Sequence, residues 1–308
     1  MKKGHRIAVL RIAQALGFFA LARRLTRGEA RILCYHGFSY RDEHAFAPQL
    51  FMRPATFVQR LEQIAAGGFK VIPLQELVQR LRARQSLSNT LVMTVDDGWT
   101  GFTRFALPEL QQRGWPVTLY LTTYYATKRR PVLNVLRQYL QWKKAALPPQ
   151  AQADAQEHQN LLHASRTAGV DLRCQDGGLF ELASPESLRT PCAQGLDLQL
   201  HTHRHRYPEA DDLLAQEIDT NRRLVQELSQ RPANDLCFPS GQYRRASFAL
   251  LERMQIQSAT TTHLGLVNHR CDPMELPRLL DGENLHPVEF AAELSGFASL
   301  VRRLRSRP

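Results

Sequence analysis

The sequence lacks the cysteine pattern of a disulfide framework or of a structural zinc site. Its 308 residues include only five cysteines, an odd number, and no Cys-x-x-Cys pair. The cysteines are far apart, at positions 34, 174, 192, 237 and 271. This spacing argues against a disulfide-stapled secreted domain and is typical of reduced thiols in a cytosolic protein.

Excess positive charge is missing from the central part of the chain. The formal net charge is +11, but residues 1–31 hold eight basic residues against one acidic residue, and residues 301–308 hold four arginines. Residues 32–300 are therefore neutral overall. A nucleic-acid-binding domain carries its basic residues across the folded face. The distribution excludes nucleic acid as the expected partner and leaves a basic tail at 301–308.

A hydrophobic run long enough to span a bilayer is also missing. The best candidate, residues 7–25, is interrupted by Arg11 and Gln14 and has basic flanks. We interpret residues 1–30 as a basic amphipathic segment that lies on a membrane surface, with residues 1–28 meeting anionic lipid. This interpretation predicts a cytoplasmic protein held peripherally at the inner membrane face.

Two alternatives to the membrane-surface segment remain open. The first is a signal peptide of an exported protein, because Ala20-Leu21-Ala22 resembles a cleavage site. Arg11 within the apolar run and Arg23-Arg24 directly after it count against export. The second alternative is a helix that simply packs on the folded domain.

Short apolar strands alternate with helices along most of the chain. Strands are predicted at 31–35, 69–72, 91–95, 117–121, 196–200, 235–238, 257–262 and 275–280, and helices at 56–66, 74–83, 104–113, 211–229, 245–254 and 287–296. Such alternation indicates parallel βα units with helices outside the sheet. Seven or eight units over roughly 250 residues predict an α/β fold, a closed or nearly closed barrel.

Residues 126–190 depart from this alternation. They contain an amphipathic helical stripe around Tyr139, followed by a polar, Ala- and Gln-rich stretch at 148–170. Because the βα pattern resumes afterwards, we interpret 126–190 as a mainly helical insertion within one barrel that spans 31–300.

Functional groups of such folds gather where the strands end. The strand at 91–95 runs into Asp96-Asp97-Gly98, and the strand at 196–200 runs into His201-Thr202-His203-Arg204-His205. Asp-Asp-Gly alone would indicate only a capped turn. Two histidines four apart together with an aspartate from another strand end supply the three ligands of an open catalytic zinc site. A solvated histidine-rich loop is the alternative.

The two adjacent aspartates can have different tasks. Neighbouring side chains on an extended backbone diverge, so one carboxylate can hold an ion while the other accepts a proton from water. A divalent ion lowers the pKa of water that it binds to about 7. The pattern predicts a metal-dependent hydrolase.

These segments resemble the motifs of the polysaccharide deacetylases, carbohydrate esterase family 4. Thr94–Gly98 resembles the T-F-D-D-G motif, and His201–His205 is similar to the H-[S/T]-x-x-H motif. Phe238-Pro239-Ser240-Gly241 is similar to the P-x-G segment of the third motif, and Leu33–Gly37 resembles the Y-H segment of many bacterial members. The resemblance covers about residues 31–295 and implies a distorted (β/α)7-8 barrel.

The resemblance also implies a role for each matching residue. Asp96 would be the catalytic base, and Asp97, His201 and His205 would hold one divalent ion, with zinc as the expected identity. The backbone N–H of Ser240, after Pro239, would line the oxyanion hole.

The chain departs from the family pattern at the third motif. Cys237 stands where the family has an arginine, two residues before the proline. We expect Arg278 to pair with Asp96 instead; an ordinary exposed arginine is the alternative.

Three further positions are open to two interpretations each. The family's general acid is a histidine after a leucine, as in Leu285-His286, but His286 precedes a helix and is more simply a capping residue. His36 at the end of the first strand is our candidate for protonating the leaving amine, and a structural histidine is the alternative. Tyr243 would line the sugar pocket or serve in packing.

The expected activity is removal of an N-acetyl group from an amino sugar of a cell-surface polysaccharide or lipid-linked glycan. Two alternatives stay open. One is a deformylase or other N-acyl amidohydrolase acting on a lipid-linked sugar. The other is a non-catalytic carbohydrate-binding relative.

Overall fold

The computed structural model of the chain describes residues 3–175 and 177–305. The first two residues of the predicted membrane-surface segment and the last three of the predicted basic tail lie outside these ranges. The strands are β1 (Arg31–Tyr35), β2 (Gly37–Phe38), β3 (Phe51–Met52), β4 (Lys70–Val71), β5 (Thr90–Asp97), β6 (Val117–Leu121), β7 (Arg173–Cys174), β8 (Gly177–Gly178), β9 (Asp197–Leu200), β10 (Asp235–Cys237), β11 (Ser258–Leu264) and β12 (Leu276–Leu280).

Helices surround these strands. They are α1 (Lys3–Ala15), α2 (Phe18–Leu25), α3 (Glu43–Phe46), α4 (Pro54–Ala66), α5 (Leu74–Arg82), α6 (Leu107–Gln112), α7 (Thr123–Lys128), α8 (Leu133–Trp142), α9 (Asp154–Thr167), α10 (Pro185–Ala193), α11 (Asp211–Ser229), α12 (Phe248–Arg253), α13 (Pro287–Leu294) and α14 (Phe297–Arg305).

Seven parallel strands close into a barrel. Their order is β1-β12-β11-β10-β9-β6-β5, and β5 pairs back with β1. The short β4 pairs with Thr90 and Leu91 of β5, ahead of the residues of β5 that pair with β6. The predicted α/β barrel is therefore confirmed, with seven strands in the closed ring.

Burial on both sides of the sheet explains the apolar strands. Every residue of β1 and β5 is buried, as expected for parallel strands that lie between a core and a layer of helices. Ile32 and Val92 belong to a cluster that includes the apolar face of α5, whereas Leu33 and Met93 belong to a larger cluster with α4 and α6. Successive residues of a strand thus serve opposite sides of the barrel wall.

Proline accounts for two departures from the predicted boundaries. The helix expected at 104–113 is a π-helical turn at Phe102–Ala106 followed by α6, because Pro108 has no N–H to continue an α-helical ladder. The strand expected at 235–238 ends at Cys237, since Pro239 cannot donate to the next ladder bond. The helix expected at 245–254 is a 3₁₀ turn at Arg245–Ser247 followed by α12.

The segment between β6 and β9 holds α7, α8, α9 and α10 and a small antiparallel hairpin, β7–β8. All four helices lie wholly or partly within the range predicted as an insertion, 126–190. The hairpin was not predicted. The division of the chain into a leading segment, a barrel and a tail stays a prediction.

A buried carboxyl group in the barrel wall yields a test of stability against pH. Asp235 of β10 is 2% exposed and accepts a hydrogen bond of 2.6 Å from the Ser258 hydroxyl. Burial, with the nearby charge of Asp197, raises its pKa to about 6. This folded-state pKa exceeds the unfolded value of about 3.9, so the folded protein prefers the protonated carboxyl group. The contribution of that protonated group to the free energy of unfolding is complete below about pH 4 and is lost as the pH rises through about 6.

We therefore expect Asp235→Asn to raise the free energy of unfolding relative to the wild type at about pH 8, by about 2 kcal/mol, and to give no gain near pH 4. The amide keeps an oxygen to accept from Ser258 and carries no charge. Urea unfolding of both proteins at the two pH values measures the difference. An equal difference in the free energy of unfolding at both pH values would show that burial of the ionised Asp235 carboxylate does not destabilise the protein.

Candidate metal centre and active site

The three predicted ligands, Asp97, His201 and His205, lie close together at the carboxyl ends of β5 and β9. Oδ1 of Asp97 lies 3.3 Å from Nε2 of His201 and 3.4 Å from Nε2 of His205. One ligand atom from each of the three side chains lies within 4.8 Å of the others. Ligands that sit about 2.0–2.1 Å from a tetrahedral zinc ion are about 3.4 Å apart. The donor set and its spacing therefore fit one divalent cation.

Backbone strain gathers at the same place. Asp97, Thr202, His205 and Ser240 have φ of 71°, 60°, 55° and 54°, in the left-handed region that residues other than glycine rarely adopt. Such conformations persist only where the surrounding structure holds them, and they cluster at functional sites.

Hydrogen bonds orient two of these side chains. Nδ1 of His201 lies 2.8 Å from the Cys237 carbonyl, so an N–H at Nδ1 donates there and leaves the Nε2 lone pair facing Asp97. The indole Nε1–H of Trp99 donates to Oδ2 of Asp97 at 2.8 Å. The amide of Asn221, from α11, accepts from the His201 backbone N–H at 2.9 Å. Sequence analysis missed both Trp99 and Asn221.

Asp96 has a different partner from its neighbour. Arg278 donates from Nη1 to Oδ1 and from Nη2 to Oδ2, both at 2.7 Å. Both side chains are almost fully buried, so the exposed-arginine alternative does not describe Arg278. The thiols of Cys237 and Cys34 lie 3.3 and 3.5 Å from Oδ2 of Asp96. The guanidinium thus faces the position where the family motif has its arginine.

The pairing decides which aspartate is available to a cation. Asp96 also lies near His36 and His201 in geometries that could include a metal ion. Both of its oxygens, however, already accept from a buried guanidinium. Within the described residues, the set of Asp97, His201 and His205 is the one whose carboxylate is not occupied by an arginine.

Both aspartates are ionised at neutral pH. Burial alone would raise the pKa of Asp96, but the charge and hydrogen bonds of Arg278 outweigh it and hold that pKa well below its usual range. Burial likewise opposes a lowered pKa at Asp97, but the adjacent imidazole groups of His201 and His205 outweigh it and lower that pKa. Burial and the neighbouring His201 lower the pKa of His205, which keeps its imidazole neutral and able to bind a metal.

His36 lies beside Asp96, whereas His286 lies elsewhere. Nε2 of His36 is 3.8 Å from Oδ2 of Asp96, and its Nδ1 is buried with no hydrogen-bond partner among the described residues. His286 instead caps α13: its Nδ1 accepts from the Val288 N–H at 3.2 Å, and its own N–H donates to Glu289. The capping interpretation of His286 agrees with this geometry.

The third motif forms a tight turn next to the ligands. Pro239–Gly241 is a 3₁₀ turn that follows the Cys237 carbonyl contacted by His201. Gly241 has φ of 69°, and a Cβ there would come within 2.1 Å of the Thr262 hydroxyl, so the turn requires glycine. Ser240 is exposed at the top of this turn.

Tyr243 lines a different depression from the one lined by Asp97 and His205. Its ring stacks on Phe238 with 4.8 Å between centroids and lines a separate depression with His263 and Glu275. This is the packing arrangement that sequence analysis left open. A contact between Tyr243 and a sugar stays a prediction.

A cavity of about 560 Å³ opens beside the candidate metal ligands. Asp97, Trp99 and His205 line one side of it. Tyr125 and Asn134 line another side. Small-molecule sites typically occupy about 300–1,000 Å³. The segment after β6 thus supplies one wall of the cavity.

Comparisons with known proteins agree on one family. The family model described as "Polysaccharide deacetylase" matches residues 83–259. The solved deacetylase PplD of Streptococcus pyogenes, in complex with acetate, is 17% identical with a TM-score of 0.63, over 86% of this chain and 98% of its own. IcaB from Ammonifex degensii is 18% identical with a TM-score of 0.59, over 87% and 97%. No curated protein sequence matches. At these identities the structural likeness shows the barrel fold.

Proposed function

Because the chain belongs to the polysaccharide deacetylase family, we propose that it hydrolyses the N-acetyl amide of an amino sugar in a cell-surface polysaccharide or lipid-linked glycan. Family and fold support deacetylation of a polysaccharide. The observation that carries the finer proposal is the separation of tasks at the site. Asp97 faces two imidazoles at 3.3 and 3.4 Å, while Asp96 next to it is held by Arg278.

Asp97, His201 and His205 are the residues that would hold a divalent ion. Two imidazoles and one carboxylate, with a side open to the neighbouring cavity, suit zinc. When bound, such an ion polarises the amide carbonyl and makes water a better nucleophile at neutral pH.

The remaining steps use groups of the chain itself. Asp96, ionised and fixed by Arg278, accepts a proton from the water that attacks the acetyl carbon. The Ser240 N–H donates to the oxygen that gains negative charge. The bond between that carbon and the amide nitrogen then breaks, which yields acetate and a free amine.

The leaving amine must receive a proton. Because the pKa of Asp96 is low, its carboxyl group gives up a proton readily. Nε2 of the His36 imidazole lies 3.8 Å from Oδ2 of Asp96, and the His36 side chain is partly exposed. We assign delivery of the proton to His36.

Acetate release tests the proposed activity. N-acetylglucosamine oligomers and lipid-linked N-acetyl sugars serve as substrates, with and without a chelator. We expect release that the chelator abolishes and added zinc restores. Asp96→Asn should keep its metal and lose about 10³-fold in kcat, the usual contribution of a general base. A variant that retained most of its rate would contradict the assignment of the base.

The same assay separates the alternatives. Release of formate rather than acetate from N-formyl sugars would indicate a deformylase. Saturable binding of the oligomers, without any release by the metal-loaded protein, would indicate a non-catalytic carbohydrate-binding protein.

A further inference from the structure

The two charged ends of the chain pack together on one side of the barrel. α1 and α2 at the start contact α13 and α14 near the end, through a small core that includes Ala13, Phe19 and Ala292. The ring of Phe19 lies 5.2 Å from that of Phe297. No single described helix meets the length and hydropathy expected of a membrane span; α1 and α2 meet them only as a pair, with a 76° bend between them.

Exposed apolar side chains lie along α1 and α2. Val9 and Ile12 of α1, Leu16 directly after α1, and Phe18, Leu21 and Leu25 of α2 are 45–69% exposed. Both triplets have the spacing i, i+3, i+7, which places each of them on one side of its helix. Together with the exposed Leu304 of α14, we call these residues the apolar platform: Val9, Ile12, Leu16, Phe18, Leu21, Leu25 and Leu304.

The apolar platform is the main exposed apolar surface of the described chain. Seven of its ten exposed large hydrophobic side chains belong to the platform. The other three are scattered on α8, α11 and β11. Exposed apolar side chains that occur singly need no explanation, whereas a concentration of them indicates an interaction surface.

Positive charge surrounds the platform and is not neutralised within it. Residues 3–28 contain six basic residues and no acidic residue. Arg24, Arg27 and Arg305 are exposed and have no ion-pair partner among the described residues. Arg6 and Arg302 are paired with Glu289 and Glu293. The outward charge is therefore positive.

This charge distribution distinguishes the possible partners. In a symmetric dimer the same patch of each copy faces its counterpart. Because residues 3–28 contain no acidic residue, two basic surfaces would meet and repel each other. An anionic bilayer offers negative headgroups to the arginines and an apolar interior to the side chains between them. We propose that the apolar platform and its arginines dock the protein peripherally on an anionic lipid surface. This proposal does not depend on the proposed function.

The experiment measures binding of the full chain to vesicles by flotation. Phosphatidylcholine vesicles are compared with vesicles that also contain phosphatidylglycerol, at low and high salt. We expect tight binding only to the anionic vesicles, weakened by salt. Ile12→Ser with Leu21→Ser should weaken binding at least tenfold. Arg24→Gln with Arg27→Gln should weaken it about 30-fold, since each arginine near a charged membrane contributes about 1 kcal/mol.

Matched variants serve as controls. Leu213→Ser removes an exposed leucine on α11, and Arg253→Gln removes an exposed arginine on α12. Both should bind like the wild type. All variants should keep the wild-type thermal unfolding, because the altered side chains are exposed.

Three outcomes would overturn the proposal. The first is binding that does not depend on anionic lipid, and the second is an equal loss of binding in the control variants. The third is a dimer, seen by sedimentation, that Ile12→Ser with Leu21→Ser dissociates while anionic vesicles do not bind. That last result would assign the platform to a second copy of the chain. Acetate release by the same variants reports separately on the proposed function.

Discussion

Arg278→Met is expected to lower kcat/KM for acetate release by about 10³-fold or more. The guanidinium holds both oxygens of Asp96 at 2.7 Å and is the main positive charge that keeps this buried carboxylate ionised. Without it, burial raises the pKa of Asp96, so the carboxyl group is protonated and cannot accept a proton from water. Metal retention should persist, because Asp97, His201 and His205 are untouched.

The same substitution leaves a buried carboxyl group without its cation, which typically costs about 3–5 kcal/mol of stability. A loss of folding could therefore imitate a loss of catalysis. The double variant Arg278→Met with Cys237→Arg separates the two effects. Sγ of Cys237 lies 3.3 Å from Asp96 and 3.2 Å from Nη2 of Arg278, so an arginine at 237 can reach the same carboxylate. We expect the double variant to regain a large part of both stability and activity.

Arg60 supplies the matched control for this rescue. It is fully buried, like Arg278, and pairs with Asp281 at 3.0 Å, away from the candidate metal ligands. Arg60→Met should destabilise the protein, and adding Cys237→Arg should not restore it. A folded Arg278→Met protein with full activity, or a folded double variant with none, would show that Arg278 does not support Asp96.

The sequence pattern predicted the pairing of Arg278 with Asp96, two residues that are far apart in the sequence. Cys237 occupies the place of a family arginine, and a buried base still needs a cation, so another strand end is expected to supply it. Parallel strands of one barrel bring their carboxyl ends together, and β12 ends near Arg278. The alternation of strands and helices, with the residues at the strand ends, also predicted that Asp97, His201 and His205 lie close together.

Other parts of the site left no readable signal. Asn221 lies in the middle of α11, where a polar residue in an amphipathic helix is expected to face water, yet it is buried and holds the His201 backbone. Trp99 contacts Asp97 because of the positive φ at Asp97 and Gly98, which no periodicity encodes. The apolar run at 7–25 was predicted as one helix-like segment. It breaks into α1 and α2 at Gly17, whose φ of 81° allows the bend of 76° between the two helices at low cost.

Asp97→Ala is expected to abolish metal retention and to lower acetate release by about 10⁴-fold or more, since the proposed chemistry depends on the cation. Asp97 is the common neighbour of both imidazoles, so its loss removes the only charged ligand of the set. Metal content after dialysis and kcat on N-acetylglucosamine oligomers measure the two effects.

Two further variants are expected to have a smaller effect or none. Trp99→Phe keeps all three ligands and removes only the N–H that orients Asp97, so metal affinity should fall about 10- to 100-fold, and high metal concentrations should restore the rate. His203→Ala changes the middle histidine of the same run, whose Nδ1 lies 2.9 Å from the Thr123 hydroxyl rather than at the ligands. It should therefore retain metal and activity. A metal loss in His203→Ala equal to that in Asp97→Ala, or metal retained by Asp97→Ala, would show that Asp97 is not the carboxylate that holds the ion.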